Sequence, residues 1–274
     1  MPELPEVETI ARSLREPASG PGLVGMQIER AQVNWSRTVA EPDAATFQKR
    51  ISGQVIRDVG RRGKFLLFNL ESGALILHLR MSGDLRLEPV EMPEAAHDRL
   101  LLIMKAGWRL AFNDTRKFGR VWLVDQPDTI LGTLGPEPLD PGFMAETLYQ
   151  RLQKTQRQLK PLLLDQHFLA GIGNIYADEA LHRAGLHPLS RSNSVSAEQA
   201  ARLWGAIRDT LEEGIRRNGA SIDWVYRGGE FQNYFRVYQR KGLACPVCGT
   251  AVEKILVGQR GTHFCPVCQP NLER

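Results

Sequence analysis

The sequence predicts an α+β protein of two domains, an N-terminal β-sandwich with a leading helix and a C-terminal helical domain that ends in a four-cysteine segment. Three observations predict this fold class. Short apolar or alternating segments fill the first part of the chain, segments of helical length follow residue 142, and all four cysteines lie near the C-terminus. A chain of 274 residues is long enough for two hydrophobic cores.

The leading helix is predicted by "PEVETIARSLRE". Val7, Ile10, Ala11 and Leu14 have the i, i+3, i+4, i+7 spacing of one helical face. The segments "KFLLFNL", "ALILHLRM", "RLLLIMK", "WRLAFND" and "GRVWLV" follow, separated by Gly, Asn, Asp and Ser. Such spacing is typical of a β-sandwich or barrel. We interpret it as a sandwich domain over residues 1–130.

The second domain follows a Gly/Pro-rich linker, "LGTLGPEPLDPG", over residues 131–142. Ser196 is predicted to cap the longest helix and Gly219 to end it. We divide this part into a helical domain, 143–235, and a terminal module, 236–274. The predicted helices are 143–156, 160–169, 175–184 and 196–219.

The composition indicates a folded globular protein, with 42% hydrophobic and 24% charged residues. No apolar run reaches the length of a membrane span, and the acidic N-terminus lacks a signal-peptide pattern, so a cytoplasmic location is expected. The net charge is only +4, but residues 226–274 contain seven Lys/Arg and three Asp/Glu. This basic C-terminal segment favours a polyanionic partner, although a solvated tail has the same composition.

The cysteines form two "CPVC" motifs, Cys245 with Cys248 and Cys265 with Cys268, separated by sixteen residues. This spacing is that of a zinc ribbon. Two disulfides or a redox pair are alternatives, but a cytoplasmic location disfavours disulfides. Four thiolates complete a tetrahedral coordination sphere, so we expect one structural Zn²⁺ with no position left for water.

These features together resemble the formamidopyrimidine-DNA glycosylase family. The resemblance rests on "PELPEVET", the β-rich first domain, "GIGNIYADEAL" and the cysteine ribbon, in the same order along essentially the whole chain. It implies a helix–two-turns–helix element in the helical domain. It also implies a nucleoid-associated enzyme that acts on double-stranded DNA with an oxidised base. Such an enzyme excises 8-oxoguanine and formamidopyrimidines opposite cytosine and then nicks the strand by β,δ-elimination.

The resemblance assigns catalytic roles to four residues. Once Met1 is removed, Pro2 has a free secondary amine that can attack C1′ of the deoxyribose and form an iminium. Glu3 is the general acid–base, whereas the sequence alone would explain it as an acid at a helix start. Lys64, which is otherwise an ordinary turn lysine, acts in the elimination steps. Arg260 lies near the tip of the ribbon hairpin and assists the second elimination.

Enzymes of this family insert side chains into the space that the extruded nucleotide leaves in the duplex. The matching residues here are Met81, Arg116 and Phe118. Arg116 can donate hydrogen bonds to the orphaned cytosine. Without the resemblance, Met81 and Phe118 would be interpreted as core residues at strand ends.

Other positions are predicted to contact DNA. These are His97, Lys154 and Asn174, and Asn174 is also expected to cap the second helix of "LDQHFLAGIGNIYADEAL". Arg61 and Arg62 would suit phosphates. Arg151, Lys154, Arg157 and Lys160 would form a basic stripe on a helix. The loop "GASIDWVYRGGEFQNYF" occupies the position of a lid over the extruded base, but its aromatic-rich sequence departs from the family pattern.

Two other functions have similar sequence features. Endonuclease VIII uses the same amine chemistry on oxidised pyrimidines, but its opening is usually "PEGPE" and it lacks the pairing of Arg116 with Phe118. A non-catalytic reader of damaged DNA could keep the scaffold, although only catalysis requires Pro2, Glu3 and Lys64 together. A single cleft for one polymer favours a monomer.

Overall fold

The computed structural model describes residues 1–221 and 228–271, and it divides into two compact units. One unit comprises Glu6–Thr133 with Met1–Pro2, and the other comprises Leu134–Ala220 with Glu3–Pro5 and the chain from Gly229. Among the described residues, no helix combines the length and apolarity needed to cross a bilayer.

The first unit is the predicted β-sandwich. In order, its elements are α1 (Leu4–Arg15), β1 (Ile28–Val33), β2 (Val39–Glu41), α2 (Ala44–Ile51), β3 (Ile56–Arg62), β4 (Phe65–Leu70), β5 (Ala74–His78), β6 (Gly83–Pro89), β7 (Asp98–Met104), β8 (Trp108–Asp114), β9 (Arg120–Val124) and α3 (Asp128–Leu131). Within the described residues one sheet has the order β1-β7-β8-β6 and the other β2-β9-β5-β4-β3. All pairs are antiparallel except β2 with β9.

An apolar core joins the two sheets to the leading helix. Val7 and Leu14 of α1 lie in the same buried cluster as Phe68 of β4 and Phe112 of β8. The alternation of buried and partly exposed residues along β4 matches the two-residue period of a strand with one face on a core. The predicted face of α1 is therefore confirmed.

A second helix in the sandwich, α2, was not predicted. Asp43 starts it by accepting hydrogen bonds from the amides of Ala45 and Thr46, each at 3.0 Å. Phe47 and Ile51 of α2 are fully buried in the core. The helix is only two turns long, so its apolar spacing is too short to stand out between two strands.

The second unit contains the helical domain and the terminal module with the four cysteines, called the cysteine module below. Its helices are α4 (Ala145–Gln153), α5 (Leu159–Leu164), α6 (Asn174–Ala184) and α7 (Ala197–Arg216), followed by the hairpin of β10 (Glu253–Val257) and β11 (Arg260–Phe264). Short 3₁₀ turns occupy Ser192–Ser194 and Phe231–Tyr234 in this unit, and Ser36–Thr38 in the sandwich unit. This arrangement confirms the predicted fold class.

The ends of α7 follow the sequence signals. Ser196 Oγ accepts from the amide of Gln199, and the Gln199 side chain accepts from the amide of Ser196, which completes a capping box. The helix ends at Arg216, and Gly219 then adopts a left-handed backbone (φ +80°) and donates its amide N–H to Gly214 O at 2.7 Å. The predicted cap and stop are both confirmed.

The helix predicted over residues 160–169 is shorter than expected. It ends at Leu164, because Asp165 leaves the helical conformation and accepts a hydrogen bond from the amide of His167 at 3.0 Å. An aspartate that binds the amide two residues ahead stabilises a turn in place of another helical turn.

Candidate active site and metal centre

Glu3 is held at the start of α6. Its side chain is only 3% exposed, and its carboxylate accepts hydrogen bonds from the amides of Ile175 at 3.1 Å and Tyr176 at 3.4 Å. A helix start leaves such amides without intrahelical partners and has a partial positive charge, so it binds a carboxylate well. A Cβ on Gly173 would lie 2.2 Å from Glu3 Cδ, so only glycine permits this approach. Pro2, also buried, precedes this fixed carboxylate in the chain.

Asn174 does not cap α6, and that prediction was wrong. The residue is the first of the helix, the cap position is Gly173, and neither provides a side-chain cap. Glu3, distant in the chain, binds the amide of Ile175 and also that of Tyr176, which an Asn174 cap would have been placed to accept. Asn174 Nδ2 instead donates to Gly261 O of the hairpin at 3.1 Å, and its Oδ1 is buried without a hydrogen-bond partner among the described residues.

A buried ionic network lies beneath this helix start. Lys160 of α5 is fully buried and donates to the Asp178 carboxylate and to Asn174 O. Asp178 also accepts from the backbone amide of His263 in β11 at 2.9 Å. Burial lowers the pKa of Lys160, and the Asp178 carboxylate opposes that shift. The network joins α5, α6 and β11.

The predicted basic stripe is therefore absent. Lys160 points inward to Asp178, Arg157 pairs with Asp165 at 2.6 Å, and Arg151 donates to the carbonyls of His167 and Phe168. The chain leaves the helix after Gln153, so a three-residue repeat across that break does not share one face. Lys154 lies at the end of α4 and is exposed.

Lys64 lies in the turn between β3 and β4, directly after Gly63, whose φ of +57° is in the left-handed region. It is 5% exposed, which is unusual for a turn lysine. Burial, together with the charges of Arg80 and Lys64, lowers the pKa of His78 to about 3. Lys64 thus shares a buried environment with a neutral imidazole.

Arg61 pairs with a carboxylate inside its own unit. Its Nε donates to Glu8 at 2.8 Å, and its side chain is 10% exposed. Glu8 on α1 therefore already balances the charge of Arg61, and a phosphate contact of Arg61 stays a prediction.

The three residues predicted to fill the duplex lie on two joined loops. Met81, between β5 and β6, and Phe118, between β8 and β9, are 40% and 48% exposed, so neither is a core residue. The Arg116 guanidinium lies 4.9 Å from the centre of the Phe118 ring. Ser82 Oγ donates to Asp114 and accepts the amide N–H of Arg116, which fastens one loop to the other.

Two more predicted contacts lie at exposed positions. His97 precedes β7, its carbonyl accepts from the amide of Asp114 at 2.9 Å, and its Nδ1 lies 3.2 Å from Arg99. Arg260 is the first residue of β11, after the tight turn at Gly258 and Gln259. The central part of the predicted lid loop, residues 222–227, lies outside the described residues.

The cysteines form the predicted cluster. Their four Sγ atoms lie within 4.8 Å of one another, the separations being 3.8 Å for Cys245–Cys268 and 3.4 Å for Cys248–Cys265, and all four thiols are free. This spacing excludes disulfides in the structure and provides four sulfur ligands around one point, as Zn²⁺ requires.

Three residues with contacts near these sites were not singled out from the sequence. Gly173 admits Glu3, Asp178 links Lys160 to β11, and His182 of α6 lies 3.3 Å from Cys245 Sγ through its Nε2. Their partners are distant in sequence, so no local spacing could have indicated them.

Models of known families match three successive parts of the chain. The formamidopyrimidine-DNA glycosylase N-terminal domain matches residues 1–121, the formamidopyrimidine-DNA glycosylase H2TH domain matches 134–225, and a zinc finger found in FPG and IleRS matches 242–271. The zinc-finger match agrees with the cysteine cluster and supports zinc binding.

Whole-length relatives and solved structures agree with these matches. The formamidopyrimidine-DNA glycosylases of Pelotomaculum thermopropionicum and Chloroflexus aggregans are 42% and 44% identical, over 98% of this chain and 99% and 98% of theirs. Lactococcus lactis Fpg (MutM) bound to DNA containing N7-benzyl-Fapy-dG has a TM-score of 0.91 and 36% identity, covering 98% of this chain and 100% of that one. The chain therefore belongs to the formamidopyrimidine-DNA glycosylase family and is an enzyme of DNA base-excision repair.

Proposed function

We propose that the protein excises oxidised purines, 8-oxoguanine and formamidopyrimidines, opposite cytosine in duplex DNA, and then cleaves the strand by β,δ-elimination through a Schiff base on Pro2. The observation that carries this proposal is the Glu3 carboxylate, fixed on the α6 amides immediately after Pro2 in the chain. A preorganised acid beside a secondary amine is the pair that covalent glycosylase chemistry needs.

The reaction begins when the Pro2 nitrogen, freed by removal of Met1, attacks C1′ of the damaged nucleotide. The glycosidic C–N bond breaks, its electron pair leaves with the base, and Glu3 acts as the general acid for proton transfer. Loss of the ring oxygen from C1′ gives an iminium between Pro2 and the opened sugar. The iminium acidifies the C2′ proton, so the 3′-phosphate leaves by β-elimination and the 5′-phosphate by δ-elimination. Lys64 acts in the elimination steps, Arg260 assists the second elimination, and water finally releases Pro2.

Recognition of the lesion requires extrusion of its nucleotide from the stack. The exposure of Met81 and Phe118 and the stacking of Arg116 on Phe118 support a role in filling the vacated space. Arg116 would donate to the orphaned cytosine. His97, Lys154 and Asn174 are the proposed backbone contacts, and Arg62 is a further one. Solved relatives were captured with N7-benzyl-Fapy-dG and with carbocyclic 8-oxo-G in DNA.

Zinc has a structural role in this proposal. One Zn²⁺ would be held by Cys245, Cys248, Cys265 and Cys268, which leave no open coordination position for a substrate or water. The ion would fix the hairpin that presents Arg260.

The test is intact mass after borohydride reduction of Met1-free protein with an 8-oxoguanine:cytosine duplex. A lesion-dependent adduct on Pro2 is expected, and an undamaged duplex should give none. Glu3→Gln should form much less adduct with the intact lesion and still form it with a pre-formed abasic site, because the base has already left.

A duplex with an oxidised pyrimidine separates the alternative function. One solved neighbour is Lactococcus lactis Fpg bound to DNA containing an oxidised pyrimidine, so some trapping there is compatible with the proposal. Preferential trapping of the pyrimidine lesion would replace the purine assignment with an endonuclease VIII-like activity. Tight binding without any adduct, on protein proven to lack Met1, would instead indicate a non-catalytic reader.

A further inference from the structure

One histidine outside the cysteine motifs contacts the metal centre. His182, in the last turn of α6, is 4% exposed, and its Nε2 lies 3.3 Å from the Sγ of Cys245, which is itself 3% exposed. The mutually close ligand atoms of the cluster belong to the four cysteines and do not include His182. The imidazole is therefore placed to contact a ligand of the metal, and not the metal.

The surroundings of the ring decide which nitrogen carries the proton. His182 Nδ1 is buried and has no hydrogen-bond partner among the described residues. A metal-bound thiolate has no proton and can only accept a hydrogen bond. A proton on Nε2 therefore gives an N–H···S bond and leaves one unpaired acceptor. A proton on Nδ1 would leave a buried donor unpaired and turn the Nε2 lone pair toward the sulfur, so it is the costlier arrangement.

The contact belongs to a row along one face of α6. Asn174, Asp178 and His182 are spaced four residues apart and so lie on the same side of the helix. Each bonds to the C-terminal module: Asn174 to the Gly261 carbonyl, Asp178 to the His263 amide, and His182 to the Cys245 thiol. The same helix begins at the amides that hold Glu3.

We propose that His182 is a positioning residue of the zinc site, donating Nε2–H to the Cys245 thiolate and thereby both strengthening zinc retention and fastening the module to α6. The inference rests on the proposed zinc site. A hydrogen bond to a ligating sulfur withdraws negative charge from it and fixes its direction, and loss of such an outer contact typically weakens metal binding about 10–100-fold.

The test compares two histidines in the same unit. His182→Phe keeps an aromatic ring and removes the donor. His187→Phe is the matched control, because His187 is also buried, accepts the amide N–H of Leu189 on its Nδ1 at 3.2 Å and packs edge-on against Phe264 of β11, with ring centres 4.7 Å apart. Each protein is loaded with cobalt(II) for spectroscopy and with zinc for transfer to a chromogenic chelator.

Removing the donor raises the energy of the sulfur electrons, so the sulfur-to-cobalt charge-transfer band of His182→Phe should move to longer wavelength. Its zinc affinity should fall about 10–100-fold. His187→Phe should keep the wild-type band, and His182→Gln, which retains an N–H donor, should recover part of the shift. If His182→Phe does not fold, His182→Leu, which also lacks a donor, takes its place, and the same shift to longer wavelength is expected.

Several results would overturn the inference. An unchanged band in His182→Phe, or an equal shift in His187→Phe, would mean that His182 only packs. A wild-type cobalt spectrum of a three-sulfur, one-nitrogen site would make His182 a ligand. A wild-type protein that binds no metal would remove the zinc proposal itself. Borohydride trapping on Pro2 is measured separately and keeps a failure of the glycosylase proposal distinguishable from these.

Discussion

The β-sandwich and the cysteine module are stabilised in different ways. The sandwich has a continuous apolar core that includes Val7, Phe47, Phe68 and Phe112. The buried cluster of the module consists of Val237, Cys245, Val252 and Cys265, with Cys268 packed against it. Outside this cluster the hairpin buries Val257 and Phe264 among the described residues, and so few apolar side chains bury little surface for a chain of this length. Stability is therefore spread over many residues in the sandwich, whereas the module would depend on the metal that its cysteines are proposed to bind.

Removal of zinc should have the largest effect and should be confined to the module. Structural zinc contributes an apparent binding free energy of about 10–16 kcal/mol in zinc-finger peptides, so chelation should unfold the hairpin of β10 and β11. Hydrogen exchange should show loss of amide protection in β10 and β11 and retained protection in β3, β4 and β5. Adding zinc back should restore the hairpin. Equal loss of protection in the sandwich strands would contradict the comparison.

Truncation of a sandwich core residue should cost less and leave the metal in place. Phe68 is fully buried, and Phe68→Ala should lower the free energy of unfolding by about 3–5 kcal/mol, because it removes apolar contacts and leaves a cavity. Urea unfolding followed in the sandwich measures the loss, and zinc content should stay at the wild-type value.

The matched change in the module is Leu256→Ala, at a residue of β10 that is 74% exposed. Its cost should be within about 0.5 kcal/mol, since an exposed side chain contributes few contacts. A Leu256 effect as large as that of Phe68 would mean that the module has an apolar core of its own.

Lowering the pH should reduce the unfolding free energy of the sandwich through the buried His78. His78 has its pKa lowered to about 3 by burial and by Arg80 and Lys64, whereas the unfolded chain has the ordinary value of 6.5. The unfolded state therefore binds the proton first as the pH falls, and stability decreases between pH 6.5 and 3. At about 1.4 kcal/mol per pH unit, lowering the pH from 6.5 to 5 should cost about 2 kcal/mol.

The measurement compares wild type with His78→Phe at pH 7 and pH 5. The variant should lose less stability over this interval. The slopes of unfolding free energy against pH should differ by at most one bound proton, or about 1.4 kcal/mol per pH unit. The cysteine module also weakens in acid, because its thiolates must stay unprotonated to bind zinc. That term is common to both proteins and cancels in their difference. Identical pH slopes would mean that His78 is not neutral in the folded protein.

The success of the sequence predictions depended on how far apart the interacting residues are. The face of α1, the Ser196 cap and the paired cysteine motifs depend on neighbours within a few residues, and the structure contains all of them. The Asn174 cap failed because the α6 amides bind Glu3, 172 residues away from Ile175. The predicted basic stripe is absent because α4 ends at Gln153 and Lys160 lies in the next helix, α5. There Lys160 pairs with Asp178 of α6.

The start of α7, in the helical domain, allows a test with a small and local expected effect. Ser196→Ala removes the hydroxyl that accepts the Gln199 amide, so the start of α7 loses one side of its capping box. The expected cost is about 1 kcal/mol of unfolding free energy. Gln199→Ala removes the reciprocal bond to the Ser196 amide and should cost less, because the Ser196 hydroxyl still caps the helix. Neither residue contacts the cysteines among the described interactions, so the cost measured by urea unfolding should be the same with and without zinc. A cost that changed on chelation would mean that α7 and the module unfold together, and the ion would then stabilise more of the protein than the hairpin.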